Sequence, residues 1–356
     1  MTKPAITIRD VARAAGVSMA TVSRVLNGSG PVHEDTAQRV WEATKTLRYM
    51  PNQAARSLIT RETSTVGVVL PDLYGEFFSE VIRGIDQAAQ RSHYHVLVSG
   101  SHDAWEEIAA ALRAMYRRVD GVIIMSPDIE AEALKATLPP GLPAVLLNCA
   151  VQGRGISAIN IDNRGGAGAM VRHLASLGRR RVAFIRGPER NHDAAERLEG
   201  YRQALAEAGL AVPVPELPGD FTEAGGFAAA RALLEDGGIR QVDALFAAND
   251  SMAVGALSAL RRAGVRVPAD VAVVGFDDIP IAAYLSPPLT SVQVPIADLG
   301  RRALEVLLGE VRSRGGQEAI REVLPTQLVI RRSCGASGAG IDAGVGGDVA
   351  VPTISG

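Results

Sequence analysis

The first sixty residues carry side chains that suit contact with a nucleic acid. Arg24 can donate a pair of hydrogen bonds to O6 and N7 of a guanine, or it can contact a phosphate instead. Hydroxyl and amide groups suited to phosphate, which fix a protein on DNA without reading the bases, belong to Thr7, Ser18, Thr21, Ser23, Asn27 and Asn52. This chemistry predicts binding to double-stranded DNA.

A second set of side chains has the chemistry to bind a small polar molecule. Arg197 follows the start of a predicted helix and Asp277 follows a predicted strand, where α/β sheets place their ligands. With Asn249 they can fix hydroxyl groups by charge-assisted hydrogen bonds. The alternatives are a structural ion pair for Arg197 and Asp277, and core positions for the phenylalanines of the set. The full candidate set is Phe78, Asp162, Arg190, Arg197, Phe221, Asn249 and Asp277.

The sequence lacks the patterns of common catalytic and metal sites. It has no GxSxG, HExxH or P-loop, its six histidines are scattered, and Cys149 and Cys334 have no metal-ligand spacing. The glycine run at 165–169 lacks the third glycine of a dinucleotide fingerprint, so a crowded helix start explains it better. Asp277 and Asp278 do not form a predicted carboxylate pair, because adjacent strand-end side chains point apart, and Asp278 is predicted to be solvated. We therefore predict no enzyme activity, no metal and no cofactor.

Short helices are predicted to position the N-terminal groups. The stretch 7–26 predicts one helix capped by Thr7 with Asp10, a sharp turn at Gly16 and a second helix capped by Ser18. This pattern predicts a helix-turn-helix, whose second helix enters the major groove, and an ordinary helical hairpin is the alternative. A third helix is predicted over 34–47, with Ala37, Val40, Trp41, Thr44 and Leu47 facing inward.

Charge separates this head from the rest of the chain. Residues 1–60 contain eight Lys and Arg against four Asp and Glu, a net charge of +4. Since the whole chain has a net charge of −2, the remaining residues have a net charge of −6. A basic head suits phosphate, and an acidic body does not. The N-terminus has no apolar signal region, and no apolar run approaches the roughly 18 residues that span a membrane. We expect a cytoplasmic protein without a membrane partner.

From about residue 65, continuous apolar runs alternate with helical patterns. This alternation predicts parallel sheets covered by helices on both faces, and it begins a second time, which predicts two similar α/β lobes. The predicted domains are a helix-turn-helix domain with a further short helix at about 52–59 (1–59), a two-lobed domain (60–333) and a disordered Gly-rich tail (334–356). Lobe 1 is predicted at about 63–162 and 292–320, and lobe 2 at about 163–291 and 321–333.

These motifs resemble the LacI-type family of transcriptional regulators. The resemblance rests on TIRDVARAAGVSMATVSRVLNG at 7–28, RYMPNQAARSL at 48–58, AANDSMAVGAL at 247–257 and VVGFDDIPIAAYLSPPLTSV at 273–292, and it extends from about residue 6 to residue 332. It implies a body similar to periplasmic sugar-binding proteins, with two lobes around a cleft.

The resemblance also implies how such a protein works. Members are homodimers on pseudo-palindromic operators, mostly repressors, and a small effector in the cleft changes operator affinity. Met19 and Ala20 occupy positions that resemble the main base-reading pair, where only apolar contact with a thymine methyl is open to them. The short helix at about 52–59 resembles the family's hinge helix, and residues 60–333 resemble its effector-binding and dimerisation domain. Leu58, with Ala55 beside it, resembles the hinge leucine that wedges a base step open; ordinary interdomain packing is its alternative. The Gly-rich tail replaces the leucine-repeat helix of tetrameric relatives, so we expect a dimer.

The identity of the effector stays open at this point. The family range includes sugars, sugar phosphates and purines, and the Arg, Asp, Asn and aromatic residues of the candidate set favour a carbohydrate-like molecule. The alternatives are a purine or other metabolite acting as corepressor, and a small-molecule-binding protein of the transport type without a role on DNA. Sequence does not distinguish release from corepression, because it does not show which state the ligand favours.

Overall fold

The computed structural model describes residues 6–27, 30–50, 62–102, 104–126, 131–149, 155–210, 214–313 and 318–337. The chain divides into an N-terminal unit that ends at Thr63 and a second unit that begins at Ser64. The predicted hinge helix and the tail beyond residue 337 lie outside the described residues. Cys334 is fully buried in a short 3₁₀ helix at Arg332–Cys334, so the ordered chain extends past the predicted boundary at 334.

The N-terminal unit consists of three helices: α1 (Ile8–Ala15), α2 (Met19–Asn27) and α3 (Glu34–Leu47). Trp41 was predicted to face the core but is 53% exposed. The reason is that Val40 and Ala43 are the buried positions of α3, and the residue that follows a buried one on a helix points about 100° away from it. The small core of this unit is formed by Val11, Ala12, Ala15, Val22, Val40 and Ala43.

The second unit is an alternation of strands and helices. Its strands are β1 (Thr65–Leu70), β2 (His95–Gly100), β3 (Gly121–Met125), β4 (Ala144–Leu147), β5 (Ser157–Ile161), β6 (Val182–Ile185), β7 (Glu216–Leu217), β8 (Ala244–Ala247), β9 (Ala272–Asp277), β10 (Thr290–Gln293), β11 (Arg321–Leu324) and β12 (Gln327–Val329). Its helices are α4 (Glu76–Arg91), α5 (Trp105–Met115), α6 (Ala131–Thr137), α7 (Asn163–Ser176), α8 (His192–Glu207), α9 (Glu223–Glu235), α10 (Asp250–Arg262) and α11 (Ile296–Ser313).

The strands form two six-stranded sheets, one in each lobe. The first has the order β11-β5-β4-β3-β1-β2, with every pair parallel. The second has the order β12-β10-β9-β8-β6-β7, and it is parallel except where β12 runs antiparallel to β10. The apolar strands are buried, as the unbroken apolar runs predict. The predicted fold class, an α-helical head and a two-lobed α/β body, is confirmed.

One predicted lobe boundary is wrong. Lobe 2 is predicted to include residues 321–333, but β11 pairs with β5 in the first sheet and only β12 joins the second. The segment divides because β11, which ends at Leu324, runs parallel to β5 of the first sheet. The chain then passes to the other lobe. The chain therefore crosses between lobes three times, at 161–163, 293–296 and 324–327.

The glycine run at 165–169 lies inside α7, which begins at Asn163. Asp162 caps this helix by accepting a hydrogen bond from the Gly165 amide at 2.8 Å. A Cβ on Gly166 would lie 2.6 Å from Thr326 Oγ1, so the start of the helix is crowded. This crowding explains why glycines stand here, without any need for a nucleotide-binding role. In the described part of the chain, no helix combines the length and apolar character needed to cross a membrane.

Gly84→Ala is expected to lower the free energy of unfolding of the second unit by about 1–3 kcal/mol, because overpacking a tight contact is costly. Helices α4 and α11 meet at this glycine, where a Cβ would lie 1.9 Å from the Ala297 carbonyl oxygen. Urea unfolding measures the change. Gly168→Ala in α7 is the matched control, since its Cβ would meet only the flexible Arg172 guanidinium at 3.1 Å. Equal losses in the two variants would contradict the prediction.

Candidate functional site

The turn between α1 and α2 has the geometry that the sequence predicts. Gly16 adopts the left-handed conformation, with φ 64° and ψ 39°. The Asp10 carboxylate accepts hydrogen bonds from the Thr7 amide (3.0 Å) and hydroxyl (2.7 Å), and the Thr7 hydroxyl holds the pKa of Asp10 below its ordinary value. Ser18 Oγ accepts from the Thr21 amide at 3.1 Å and starts α2. The two helices are thus joined as a helix-turn-helix requires.

The outward side of α2 presents the predicted base-reading residues. Met19 is 45% exposed, and Ala20 and Arg24 are exposed as well. Arg24 Nε donates to the Ala20 carbonyl at 3.4 Å, which lays the arginine along the helix surface. Thr21 and Ser23 are half-buried beside this face. The helix therefore offers one cation and two apolar side chains to a groove.

The other predicted DNA contacts divide into two groups. Thr7 and Ser18 are exposed, and their side chains also take part in the hydrogen bonds that start α1 and α2. Asn27 ends α2, but its side chain is not described, and Asn52, Ala55 and Leu58 lie outside the described residues.

In the second unit, a cavity of about 230 Å³ is lined by residues of both lobes. The structure brings five of the predicted effector residues together there: Phe78, Arg197, Phe221, Asn249 and Asp277. They come from α4, α8, the segment before α9, the residue before α10 and the end of β9. This is the edge at which parallel strands end, so the rule that selected Asp277 also finds the cavity.

Two predicted effector residues do not line the cavity. Asp162 caps α7 at the first crossover between the lobes, as described above. Arg190 lies on the surface with its side chain exposed. The structure therefore does not bring Asp162 and Arg190 together with the other candidates.

Arg197 is the centre of the cavity wall, and it is only 3% exposed. Its Nη2 lies 3.0 Å from Asp277 Oδ1, its Nε donates to Asn163 Oδ1 (2.9 Å), and its Nη1 donates to the Ala248 carbonyl (2.7 Å). The guanidinium also lies 3.9 Å from the centre of the Phe276 ring. Structural ion pair and cavity lining were alternatives in the sequence, but here the same residue has both properties.

Burial dominates the titration of the acids beside Arg197. It raises the pKa of Asp277 to about 6, although the Arg197 guanidinium lowers that pKa, and Asp193 raises it further. Burial likewise raises the pKa of Asp193, against the same guanidinium. The pKa of Asp250 is raised well above its ordinary value, by burial and then by the Asp277 charge. Asp193 and Asp277, which line the cavity, therefore bind protons more tightly than free aspartate does.

Sequence reasoning missed several polar residues of the cavity, among them the buried Asn148 and Asp193. Asn148 is 1% exposed, and within the described part of the chain neither its Nδ2 nor its Oδ1 has a hydrogen-bond partner. Asp193 accepts from Asn163 Nδ2 at 2.9 Å. Signals for both were present: Asn148 directly follows β4, and Asp193 stands four residues before Arg197 on the same helix face. Asn148 thus offers a donor and an acceptor to whatever occupies the cavity.

Asn249 is committed to other contacts. Its Oδ1 accepts from the Met252 amide (3.0 Å) and caps α10, and its Nδ2 donates to the Phe221 carbonyl (2.9 Å). Phe221 has a left-handed backbone, φ 67°, and it needs such support. Asn249 therefore places the Phe221 ring at the cavity.

Asp278 is not solvated, contrary to the sequence-based prediction. Its side chain is 6% exposed, and Arg331 Nη1 lies 2.6 Å from its Oδ1. Gln293 Nε2 donates to its Oδ2 at 3.0 Å. The side chains of Asp277 and Asp278 do point apart, but the second one turns into the sheet edge, where a buried arginine from the end of the chain meets it.

Asp277→Asn is expected to lower the free energy of unfolding by about 3–5 kcal/mol at pH 8, because the buried Arg197 charge loses its partner. The loss is expected to be larger at pH 5. Because the folded protein raises the pKa of Asp277 from its ordinary 3.8 to about 6, proton uptake by this carboxyl stabilises the wild-type fold as the pH falls, and Asn cannot take up that proton. Urea unfolding at both pH values measures the difference. Asp298→Asn, in an exposed ion pair with Arg301, is the control and should change stability little. An equal loss at pH 5 and pH 8 would refute the assignment.

The described residues contain no group of three His, Cys, Asp or Glu side chains placed to hold a metal ion.

Family models match both parts of the chain. Residues 7–52 match the bacterial regulatory proteins of the lacI family, and residues 171–334 match a periplasmic binding protein-like domain. The HTH-type transcriptional regulator CelR of Thermobifida fusca is 39% identical over 337 residues, which cover 92% of this chain and 98% of CelR.

Solved structures agree with these matches. The lac repressor dimer bound to operator and the anti-inducer ONPF superposes with a TM-score of 0.84 at 30% identity, and the match covers 93% of this chain and 99% of that one. The CelR–cellobiose complex has a TM-score of 0.69 at 35% identity over 92% of this chain and 99% of that one. These relatives are DNA-binding regulators and not enzymes, and no enzymatic family is indicated. The chain belongs to the LacI family of bacterial transcriptional regulators.

Proposed function

We propose that this protein is a cytoplasmic repressor that binds a pseudo-palindromic operator as a homodimer and responds to a carbohydrate-like effector in its cleft. The observation that carries the proposal is the buried Asn148 side chain, which has no hydrogen-bond partner among the described residues and lines a cavity shared by the two lobes. Buried polar groups are normally hydrogen-bonded, so this one is expected to meet a ligand or ordered water. The helix-turn-helix on the same chain gives that ligand something to regulate.

On DNA, hydrogen-bonded discrimination rests on Arg24. Met19 and Ala20 lack polar side-chain groups for a bidentate contact, so apolar contact with thymine methyl groups is their contribution. The remaining specificity is expected to come from the shape of the DNA and from a bend at the hinge, where Leu58, with Ala55 beside it, enters the minor groove. Phosphate contacts from the hydroxyl and amide groups, among them Asn27 and Asn52, fix the register.

Exposed apolar side chains near the mouth of the cavity support the homodimer. Glu76 Oε2 accepts a hydrogen bond from the Ile281 amide at 2.8 Å, which joins the start of α4 to the 3₁₀ helix Pro280–Tyr284. The large apolar side chains exposed in these two segments are Leu73, Tyr74, Ile281 and Tyr284. A second copy of the chain would bury such a patch, and the similar lac repressor is described as a dimer.

The charges of the cavity favour an uncharged, hydroxyl-rich effector. Arg197 is the one cation of the described lining, and Asp277, Asn163 and the Ala248 carbonyl already occupy its guanidinium. The carboxylates of the lining are Asp72, Glu76, Asp193, Asp220, Glu223 and Asp277. Carboxylates accept hydrogen bonds from hydroxyl groups and repel phosphate. The solved complex of the relative CelR with cellobiose is consistent with a sugar.

A purine corepressor is the alternative effector. Phe78 and Phe221 offer flat apolar faces, and the Asn148 amide offers the donor and acceptor that a base edge requires. Whether the effector releases the operator or strengthens its binding depends on which state it favours. The ligand screen described next distinguishes sugar from purine.

A thermal-shift screen is expected to show that unphosphorylated sugars raise the Tm, because a ligand that binds only the folded state stabilises it. The panel contains cellobiose, D-ribose, D-galactose, glucose, glucose 6-phosphate and hypoxanthine. Glucose 6-phosphate is expected to give no shift, since no free cation in the described lining would meet its phosphate. Asn148→Ala is expected to reduce the shift of any sugar that binds. A shift with the phosphate ester or with hypoxanthine alone would overturn the proposed effector class.

Arg24→Ala is expected to weaken specific operator binding by about 1–3 kcal/mol, because a bidentate contact to guanine is lost. Operator sequences selected from a random library provide the measurement, with unfolding of the second unit as the folding control. Arg24→Lys keeps the charge but cannot reproduce the guanidinium fork. If Arg24→Lys retains both affinity and base preference, Arg24 contacts phosphate and does not read a base.

A further inference from the structure

The turn that follows β9 has a backbone conformation that residues with side chains rarely adopt. Asp277 has φ 106° and Asp278 has φ 55°, so two consecutive residues lie on the left-handed side. Conformations of this kind persist only where neighbouring contacts hold them. Asp277 lines the cavity, so whatever holds this turn also sets the position of an effector contact.

Buried polar groups hold the backbone of the turn on one side. The Asp278 amide donates to Ser291 Oγ (3.1 Å), and the Ile279 amide donates to Asp250 Oδ2 (2.9 Å). Ser291 Oγ in turn donates to Asp250 Oδ1 at 2.6 Å. These bonds fix the amides of the turn. Their acceptors, Asp250 and Ser291, belong to α10 and β10 of the second lobe.

The Asp278 side chain connects the turn to a different part of the fold. Its carboxylate accepts from Arg331 Nη1 (2.6 Å) and from Gln293 Nε2 (3.0 Å). Gln293 Oε1 then accepts a hydrogen bond from Gln327 Nε2. The two glutamines are direct partners in the antiparallel pair of β10 and β12, so the sheet itself aligns them.

Both glutamines stand where the chain crosses between the lobes. Gln293 ends β10 immediately before the crossover to α11, and Gln327 begins β12 immediately after the crossover from β11. Two packed lobes reorient by changes at the few residues that join them. The hydrogen bonds therefore run from two crossovers to Asp278, the residue that follows Asp277.

We propose that Asp278, Gln293 and Gln327 form a relay that couples the occupancy of the cavity at Asp277 to two of the three crossovers between the lobes. The proposal rests on the proposed function only in taking Asp277 as an effector contact. None of the three relay residues lines the cavity, so each is a positioning residue. A ligand that moves Asp277 shifts the turn, and the relay passes that shift to the crossovers.

Gln327→Ala tests the relay at its far end in the full-length protein without added sugar. Gln327 is exposed, so its truncation should leave the fold intact. Hydrogen exchange followed by mass spectrometry is expected to show roughly threefold faster exchange or more at the amides of 278 and 279, because their turn loses part of its support. Gln203→Ala is the control: its amide, like that of Gln327, donates a side-chain hydrogen bond, here to Glu207 Oε1 (2.8 Å) on α8. Unchanged exchange at 278–279 in Gln327→Ala would overturn the relay.

Gln293→Leu tests the central link. It removes the donor to Asp278 and the acceptor for Gln327, so faster exchange is expected both at 278–279 and at 326–328. Faster exchange confined to one of these segments would refute a continuous relay. If the variant fails to fold, Gln327→Ala still decides the question.

Cellobiose and D-ribose provide a readout that a merely structural role would not change. Binding of either sugar to the wild type is expected to slow exchange at 326–328, and Gln327→Ala is expected to lose that remote protection while keeping protection around Asp277. If neither sugar binds, exchange in the sugar-free variants still judges the relay, and the thermal-shift panel separately judges the proposed effector class. Remote protection that persists in Gln327→Ala would contradict the proposal.

Discussion

The buried ion pair between Arg197 and Asp277 is the contact on which the cavity wall depends. Taking two charges out of water costs several kcal/mol per ion, and mutual attraction offsets this only where further hydrogen bonds satisfy both groups. Arg197 has those bonds, to Asn163 at the start of α7 and to the Ala248 carbonyl after β8. One guanidinium on α8 thus ties together three other elements of the second lobe. Removing either charge would leave its partner buried and without a counter-charge. The contacts of the cavity wall therefore depend on both residues together.

The same pair shapes what the cavity can bind. Because its own protein partners occupy the guanidinium, an incoming ligand meets an excess of acceptors, and only Asn148 offers both a donor and an acceptor without a partner in the described residues. A sugar hydroxyl can donate to such a wall, whereas a phosphate would face carboxylates with no compensating cation. Burial raises the pKa of Asp277 to about 6, so its capacity to accept a hydrogen bond declines as the pH falls below neutrality.

Local signals were enough for part of the fold and of the site. Gly16 and the hydroxyl of Thr7 could be read from a few residues, and the strand-end rule found Asp277, because each depends on its own segment. Asn148 needed the knowledge that β4 ends at the same cavity as β9. Asp278 was misjudged because its partner Arg331 lies 53 residues away in sequence, and adjacency alone could not show that burial. Contacts between distant segments were beyond what periodicity and spacing can determine.

The third crossover is the one that the sequence misplaces, and hydrogen bonds connect it to the other two. The Asp162 amide donates to the Leu324 carbonyl (3.0 Å), and Thr326 Oγ1 donates to the Asp162 carbonyl (3.2 Å), so the first and third crossovers are bonded to each other. The side chains of Gln293 and Gln327 join the second crossover to the third. A rotation between lobes must change backbone angles at all three places, and bonds between them oppose any change at one alone. The three crossovers are therefore expected to move as one element. Asp162, which does not line the cavity, belongs to the first of them.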